Sequence, residues 1–374
     1  MRYPNFYYKV CSNCVMDTTA IDINFDQNGI CNFCSNYVNR VNKNKKNFND
    51  LNLLVKNIIK DGLGKRYDCI VGISGGVDSS FSLLKACELG LRPLAVHLDN
   101  GWNSELAQHN ISSLVRYCRA DLYTHVINWK EYRDYQDAFL LAHVIDIELL
   151  MDNAMLAINY QLANKYKIKY ILSGTNTSTE GFKIPENWSW FKNDKKNILN
   201  IGKKFKSLTP KTFPMFGTFD FIYYELIQGI KWILFPDYFE YSKQYALSEI
   251  SNKCDYKPYP YKHYESVFTR FYQAYILPQK FGIDKRKLHL SNLIASNQIA
   301  RKEALKILQQ DTYPSEEEKN KDIKYFLKKL GWSSDQFKKY LQAPVIKHDY
   351  YKSEKKMWNI LKNIYLKIKK IKNA

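Results

Sequence analysis

The stretch from Tyr67 to Gly90 constrains this chain more than any other. Asp68-Cys69-Ile70-Val71-Gly72-Ile73 is a short apolar run of the kind that forms a buried parallel strand. It leads directly into Ser74-Gly75-Gly76-Val77-Asp78-Ser79-Ser80, after which Phe81, Leu84, Lys85, Cys87 and Glu88 keep the spacing of an amphipathic helix that stops at Gly90. Strand, glycine turn and helix start together make an anion site, because unpaired N–H groups and the helix dipole point at the same place. The adjacent Gly75 and Gly76 allow close backbone approach, and the hydroxyls of Ser74, Ser79 and Ser80 add donors. The Gly-Lys-Ser/Thr ending of a Walker A loop is absent.

The residues that follow extend this unit into an α/β fold with a doubly wound parallel sheet. Pro93 to Leu98 reads as a second strand ending in Asp99-Asn100-Gly101-Trp102, and Tyr123 to Ile127 as a third. Helical periodicity runs from Glu105 to Cys118 and again around Ile147 to Tyr166. The strand Tyr170-Ile171-Leu172 then opens into Ser173-Gly174-Thr175-Asn176-Thr177-Ser178-Thr179-Glu180-Gly181. Ligands of such sheets bind at the carboxyl ends of the strands, so Asp99, Gly174 and Thr175 should border the same crevice as the glycine loop. His97, inside an apolar strand, reads as a satisfied core residue rather than a base.

Eight cysteines are present, and four of them form Cys11-x2-Cys14 and Cys31-x2-Cys34, a zinc-ribbon-like spacing. Two knuckles of this kind complete the four-sulfur shell that Zn²⁺ accepts, and an iron–sulfur cluster is the competing occupant. Asp26-Gln27-Asn28-Gly29 reads as the hairpin turn that sets one knuckle against the other. A closed site of this type organises structure and leaves no open position for catalysis. Asn36 to Asp50, rich in Asn and Lys, reads as a linker, which gives three regions: a metal module and linker at 1–50, a nucleotide domain at 51–190 and a mainly helical region at 191–374.

The charge of +19, from 56 Lys and Arg against 37 Asp and Glu, admits nucleic acid, anionic membranes or phosphorylated substrates as partners. No apolar run follows a basic start as in a signal peptide, and Phe221 to Phe235 is too short and too charged to span a bilayer. A cytoplasmic protein with reduced thiols is expected, with no membrane span. Aromatic residues crowd the segment from Phe213 to Phe281, mostly as core. Ser333-x-x-Gln336 reads as a capping box after a helix ending near Gly331, and Met357, Ile360, Leu361, Ile364, Ile368 and Ile371 mark a final amphipathic helix. Eight lysines and one glutamate fall between Lys352 and Lys372, a basic end suited to an acidic partner or a solvated face.

Ser74-Gly75-Gly76-Val77-Asp78-Ser79 resembles the PP-loop of the ATP pyrophosphatases, the adenine nucleotide alpha hydrolase-like fold. Within that class three blocks resemble the N-acetyl sugar amidotransferases of surface-polysaccharide and flagellar sugar pathways. They are the four-cysteine module with Val15-Met16-Asp17 and Phe25-Asp26, the loop Ser173 to Gly181, and a C-terminal set. That set comprises His263-Tyr264-Glu265-Ser266, Lys280-Phe281-Gly282-Ile283-Asp284-Lys285-Arg286 and Arg301-Lys302-Glu303-Ala304-Leu305.

The resemblance implies that ATP binds Ser74, Gly75, Gly76, Asp78, Ser79, Ser80, Asp99, Gly174 and Thr175, with Asp78 holding Mg²⁺. Lys280, Lys285 and Arg286 would neutralise the pyrophosphate, unless they form a solvated face. The acetamido oxygen of a nucleotide-activated N-acetyl sugar would attack the α-phosphate, and ammonia would then displace AMP to leave an acetamidino group. No cysteine outside the four-cysteine module sits on a nucleophile turn, so ammonia is expected from a separate glutaminase and synthase pair, similar to the imidazole glycerol phosphate synthase subunits. A PP-loop enzyme that modifies tRNA is the rival reading. The isolated Cys87, Cys118 and Cys254 do not suit its thiolating members, and no nucleic acid partner is expected.

Overall fold

A computed structural model of the chain describes residues 8–44, 46–260 and 264–372, which leaves His263 of the C-terminal motif outside the described residues. Two helices, α1 (Asn32–Asn44) and α2 (Phe48–Asp61), precede the sheet. Then follow β1 (Cys69–Gly72), α3 (Val77–Glu88), β2 (Pro93–Asp99), α4 (Glu105–Cys118), β3 (Asp121–Val126), α5 (Trp129–Leu141), α6 (Leu149–Lys165) and β4 (Tyr170–Ser173). Short α7 (Thr177–Glu180), α8 (Lys195–Lys206) and α9 (Thr218–Phe221) lead to β5 (Lys231–Leu234) and α10 (Lys243–Lys253). The remainder is helical. It begins with α11 (Val267–Phe271), which runs into a π-helical stretch over Tyr272–Phe281 that contains Pro278. It continues through α12 (Arg286–Ala295), α13 (Arg301–Gln309), α14 (Glu316–Leu330), α15 (Ser334–Gln342) and α16 (Lys355–Lys372). Side chains of α16 beyond Ile364, including Ile368 and Ile371, lie outside the described residues.

All five strands are parallel, in the order β3-β2-β1-β4-β5. Period-two alternation sorts their side chains between two cores. Cys69, Val71, Ala95, Tyr170 and Leu172 face Phe81 and Leu84 of α3 and Ala246 and Ile250 of α10. Ile70, Leu94, Val96 and Ile171 face Ala157 and Ile158 of α6. Both faces are covered, which explains why β1 reads as a continuous apolar run. A third core joins α5 to Phe268, Phe271 and Tyr272, to Phe326 of α14 and to Phe337 of α15.

Two expected boundaries are corrected. The linker expected over Asn36 to Asp50 is largely helical: Asn47 and Asp50 close a capping box at the start of α2, whose Leu51, Leu54 and Ile58 are buried. The sheet also draws β5 from beyond residue 190, so that boundary cuts a hydrogen-bonded ladder running from Tyr170↔Lys231 to Ser173↔Leu234.

The cysteine module is packed into the rest of the fold. Its cysteines share a core with Phe182, Trp188 and Ile283, and Arg301 donates to the carbonyls of Cys14 (3.0 Å) and Cys11 (2.8 Å).

Candidate active site

The glycine loop leaves the carboxyl end of β1 and turns into α3. Gly75 has φ +82°, and a Cβ there would lie 2.8 Å from the Ala107 carbonyl oxygen, so only glycine fits. The hydroxyls of Tyr256 and Tyr259 both donate to Gly75 O at 2.9 Å and pin the turn from outside. Ser79 Oγ accepts from Ser74 N (3.2 Å) and lies 3.3 Å from Ser74 Oγ, which itself accepts from Gly76 N (3.3 Å). No side chain caps α3, in contrast to α4 and α5, which are capped by Ser104 and Asn128. The uncapped helix end opens on a crevice of about 730 Å³.

Gly174 closes the loop from the β4 side. A Cβ at Gly174 would fall 2.6 Å from Ser79 N and 2.7 Å from Ser79 Cα, so the β4 loop rests directly on the first turn of α3. Asp78 reaches into the same region, where its Oδ1 accepts from Asn176 Nδ2 (3.3 Å) and from the Tyr241 hydroxyl. Burial first, and then the adjacent Asp78 carboxylate, push the Tyr241 phenol far above its ordinary range, which keeps it a donor.

At the end of β2, His97 Nδ1 lies 3.0 Å from Ile73 O, which can only accept, so that nitrogen carries the proton. Nε2 then accepts from Asn103 Nδ2 (3.0 Å), and burial lowers the imidazole, so His97 is a neutral, satisfied wall of the crevice.

The opposite wall is charged. Lys192 bridges Asp146 (2.7 Å) and Asp152 (2.8 Å), and Lys285 pairs with Glu148 (2.8 Å), whose oxygens also accept from Gln273 Nε2 (2.9 and 3.1 Å). Burial works to raise Asp146, but Lys192 and Lys285 outweigh it and hold the group below the usual carboxylate range. Asp152 is raised, chiefly by burial and further by Glu148 and Asp146. Two buried polar atoms on the lining residues have no hydrogen-bond partner among the described residues: Asn159 Oδ1 on α6 and Thr269 Oγ1 on α11. Orphans of this kind fit a crevice that receives a polar ligand.

The sequence-predicted residues divide accordingly. Ser74, Gly76, Asp78, Ser79, Gly174, Thr175 and Lys285 line the one crevice, with Gly75 just behind it. Ser80 is fully buried within α3. Asp99 shapes the turn after β2 by accepting from Gly101 N (2.8 Å) and Asn103 Nδ2 (3.2 Å).

Lys280 and Arg286 do not join Lys285 around the crevice. Lys280 is 9% exposed and donates to Ala343 O (2.8 Å) and Tyr340 O (2.5 Å) at the end of α15. Arg286 pairs with Asp284 (2.8 Å) and donates to Gln310 O (2.9 Å) beyond α13. Both lysine and arginine satisfy carbonyls at helix C-termini, a structural duty. Sequence reasoning did not single out Glu148, Asp152, Lys192, Asn159, Trp232 or Lys243, all of which line the crevice. For Trp232 a signal existed: Lys231-Trp232-Ile233-Leu234 is a short apolar run between Gly229 and Pro236.

The four module sulfurs lie within 4.8 Å of one another. The pairs Cys14–Cys31, Cys31–Cys34 and Cys11–Cys34 measure 3.7, 3.8 and 3.9 Å. A tetrahedral ion with bonds of about 2.3 Å requires edges of roughly 3.8 Å, so the sulfurs fit a single metal ion. A multinuclear cluster would spread them further apart. Backbone N–H groups of Cys31 (3.2 Å) and Cys14 (3.4 Å) donate to Cys11 Sγ, as suits a thiolate.

The parallel sheet and the uncapped glycine loop at its first strand make a doubly wound α/β fold with an anion site, and Ser74 to Ser79 resembles the PP-loop of the ATP pyrophosphatases. Residues 265–365 match the family described as LPS biosynthesis protein WbpG-like, C-terminal domain. No curated protein matches the chain. Among solved structures the chain is similar to an NMN synthetase from Francisella tularensis (15% identity, 58% of this chain and 92% of that chain, TM-score 0.28). It is likewise similar to an NH3-dependent NAD synthetase from Campylobacter jejuni (12%, 58% and 93%, 0.28). A predicted subunit of tRNA methyltransferase from Methanocaldococcus jannaschii also matches (14%, 49% and 75%, 0.28). Among the described residues no helix is long and apolar enough to cross a membrane.

Proposed function

We propose that this chain is an ATP-dependent amidotransferase of lipopolysaccharide sugar synthesis, which converts the N-acetyl group of a nucleotide-activated sugar into an acetamidino group. One observation carries the reading: residues of the WbpG-like region, among them Ser266, Thr269, Gln273 and Lys285, line the same crevice as the glycine loop. An acceptor held by that region would meet ATP held by the loop.

The acetamido oxygen attacks the α-phosphorus, forming a C–O–P bond as the bond to the β-phosphate oxygen breaks and pyrophosphate leaves. The amide proton is lost, giving an adenylated imidate. Ammonia adds to the imidate carbon, the C–O bond breaks, and AMP departs. Loop amides and the α3 dipole would hold the phosphates, and Glu148, Gln273 and Lys285 would orient the acceptor. Mg²⁺, held through Asp78, would neutralise charge on the pyrophosphate. Asp152, with its raised affinity for a proton, suits a group that takes one from the incoming amine. Zinc is the metal we assign to the four cysteines, in a structural role.

Ammonia would come from a separate glutaminase and synthase pair. In support, Cys69 is buried in β1, Cys87 lies on α3, Cys118 ends α4 and Cys254 caps α10, and none stands on a nucleophile turn.

The test is pyrophosphate release from ATP, Mg²⁺ and ammonium with a panel of nucleotide-linked acetamido sugars, and with bulk tRNA in parallel. Release with at least one sugar and not with tRNA is expected. Release with tRNA alone would overturn the reading, and efficient use of glutamine by the purified chain would overturn the need for a partner.

A further inference from the structure

We infer that Lys243 is the cation that holds the pyrophosphate end of the nucleotide, an assignment that rests on the crevice being the ATP site. Among the described residues three lysines line the crevice: Lys192, Lys243 and Lys285. Lys192 is neutralised by Asp146 and Asp152, and Lys285 by Glu148. No ion pair or side-chain hydrogen bond engages Lys243 Nζ among the described residues, although its backbone N–H donates to Gln298 Oε1 (3.1 Å). A half-buried lysine that makes no ion pair among the described residues, in the crevice of an anion loop, is placed to meet an anion.

Packing decides where along the crevice this cation stands. Lys85 of α3 pairs with Glu249 of α10 (2.8 Å), and Glu88 pairs with Lys253 (2.5 Å), so the two helices run side by side in the same direction. At the other end Tyr241, two residues before Lys243, hydrogen-bonds Asp78, and its ring packs on Phe81 (5.2 Å). Offsets of 163 to 165 residues hold along the whole contact. They set Lys243 level with Ser79, in the first turn of α3. Ser242 caps α10 by accepting from Tyr245 N (3.1 Å), so the end of α10 is not itself an open anion site, and the lysine side chain supplies the charge. In the resemblance Lys280, Lys285 and Arg286 carried this duty; Lys280 and Arg286 are turned to helix ends, and Lys285 stands on the wall opposite with Glu148.

The test is calorimetric titration of the full-length chain with magnesium pyrophosphate, ATP and AMP, using Lys243→Met, Lys243→Arg and Lys253→Met. Lys253 removes the same charge from the far end of α10. Losing one charge-assisted contact should weaken pyrophosphate and ATP about 10- to 100-fold in Lys243→Met. AMP binding should change less than about threefold, because AMP has no β- or γ-phosphate, and Lys243→Arg should recover most of the loss. Lys253→Met should match the wild type, and the salt dependence of pyrophosphate binding should flatten only in Lys243→Met. Pyrophosphate binding by Lys243→Met within about threefold of wild type overturns the assignment alone. A wild-type chain that binds neither ATP nor pyrophosphate overturns the nucleotide reading, and the assignment with it.

Discussion

Tyr241 donates its phenolic hydrogen bond to Oδ1 of Asp78, and this contact fixes the one acidic side chain of the glycine loop. Among the described residues the other donor to that oxygen is Asn176 at 3.3 Å. Tyr241→Phe should therefore leave the fold intact and let Asp78 swing. We expect pyrophosphate release to fall about 10- to 100-fold, the loss associated with one buried charge-assisted hydrogen bond. Titrating Mg²⁺ separates positioning from stability: the variant should need more Mg²⁺ for half-maximal rate while its melting temperature moves little.

Gly174→Ala places a methyl group 2.6 Å from Ser79 N. Backbone stands on both sides, so either α3 or the β4 loop must shift. Nucleotide binding should fall at least about tenfold, with a stability loss of about 1–3 kcal/mol, as for overpacking. Nucleotide titration together with thermal unfolding checks both numbers.

Lys280 and Lys285 should part company under mutation. Lys280→Met strands the carbonyls of Tyr340 and Ala343 and should cost about 1–3 kcal/mol of stability, seen as a lower denaturant midpoint, with pyrophosphate binding unchanged. Lys285→Met should leave pyrophosphate binding within about threefold but raise the KM of the acceptor, since Lys285 stands on the opposite wall with Glu148.

His348 should make the protein acid-sensitive. Its Nδ1 lies 2.8 Å from Asn197 Oδ1 and its Nε2 accepts from Asp146 N (3.1 Å), which fixes a neutral ring stacked on Trp190. Burial pushes it down from 6.5 to about 3; Asp146 pulls the other way, and Lys192 and Lys355 reinforce the fall. Across that window the unfolded chain binds more protons, so stability is whole above pH 6.5 and drains as the pH falls toward 3. At pH 5 the loss should reach about 2 kcal/mol. Denaturant midpoints between pH 7 and 5 should show this slope, and His348→Gln should flatten it.

Purified protein should carry about one zinc per chain, and Cys31→Ser should lose it. Because Phe33, Phe182 and Trp188 pack on the same cluster, chelation should also lower the melting temperature.

Local signals made the glycine-loop side of the crevice legible. The Ser74–Ser79 loop, the strands at 93–98 and 170–172 and the helix from Glu105 to Cys118 are each set by neighbours in sequence, through glycine conformation and apolar period. The charged wall was legible only at Lys285, because its partner Glu148, with Lys192 and Gln273, meets it only through tertiary packing. For the same reason Lys280 looked like part of a basic cluster: neighbours in sequence point to different places once the π-helical stretch ends and Gly282 turns with φ +66°. The helix α1 stayed hidden since its Asn- and Lys-rich sequence gives only a thin apolar stripe, with Tyr37 buried against Phe182.

The clasp between Arg301 and the carbonyls of Cys11 and Cys14 joins positions 290 and 287 residues apart. During synthesis, the knuckle made first lacks this fastening until α13 has left the ribosome. Until then its thiols depend on bound metal, or on a reducing milieu, to stay unpaired. With a metal in place, the knuckle would be held early by the ion and only later by Arg301, so metal supply and the order of translation would act on the same step of this protein's maturation.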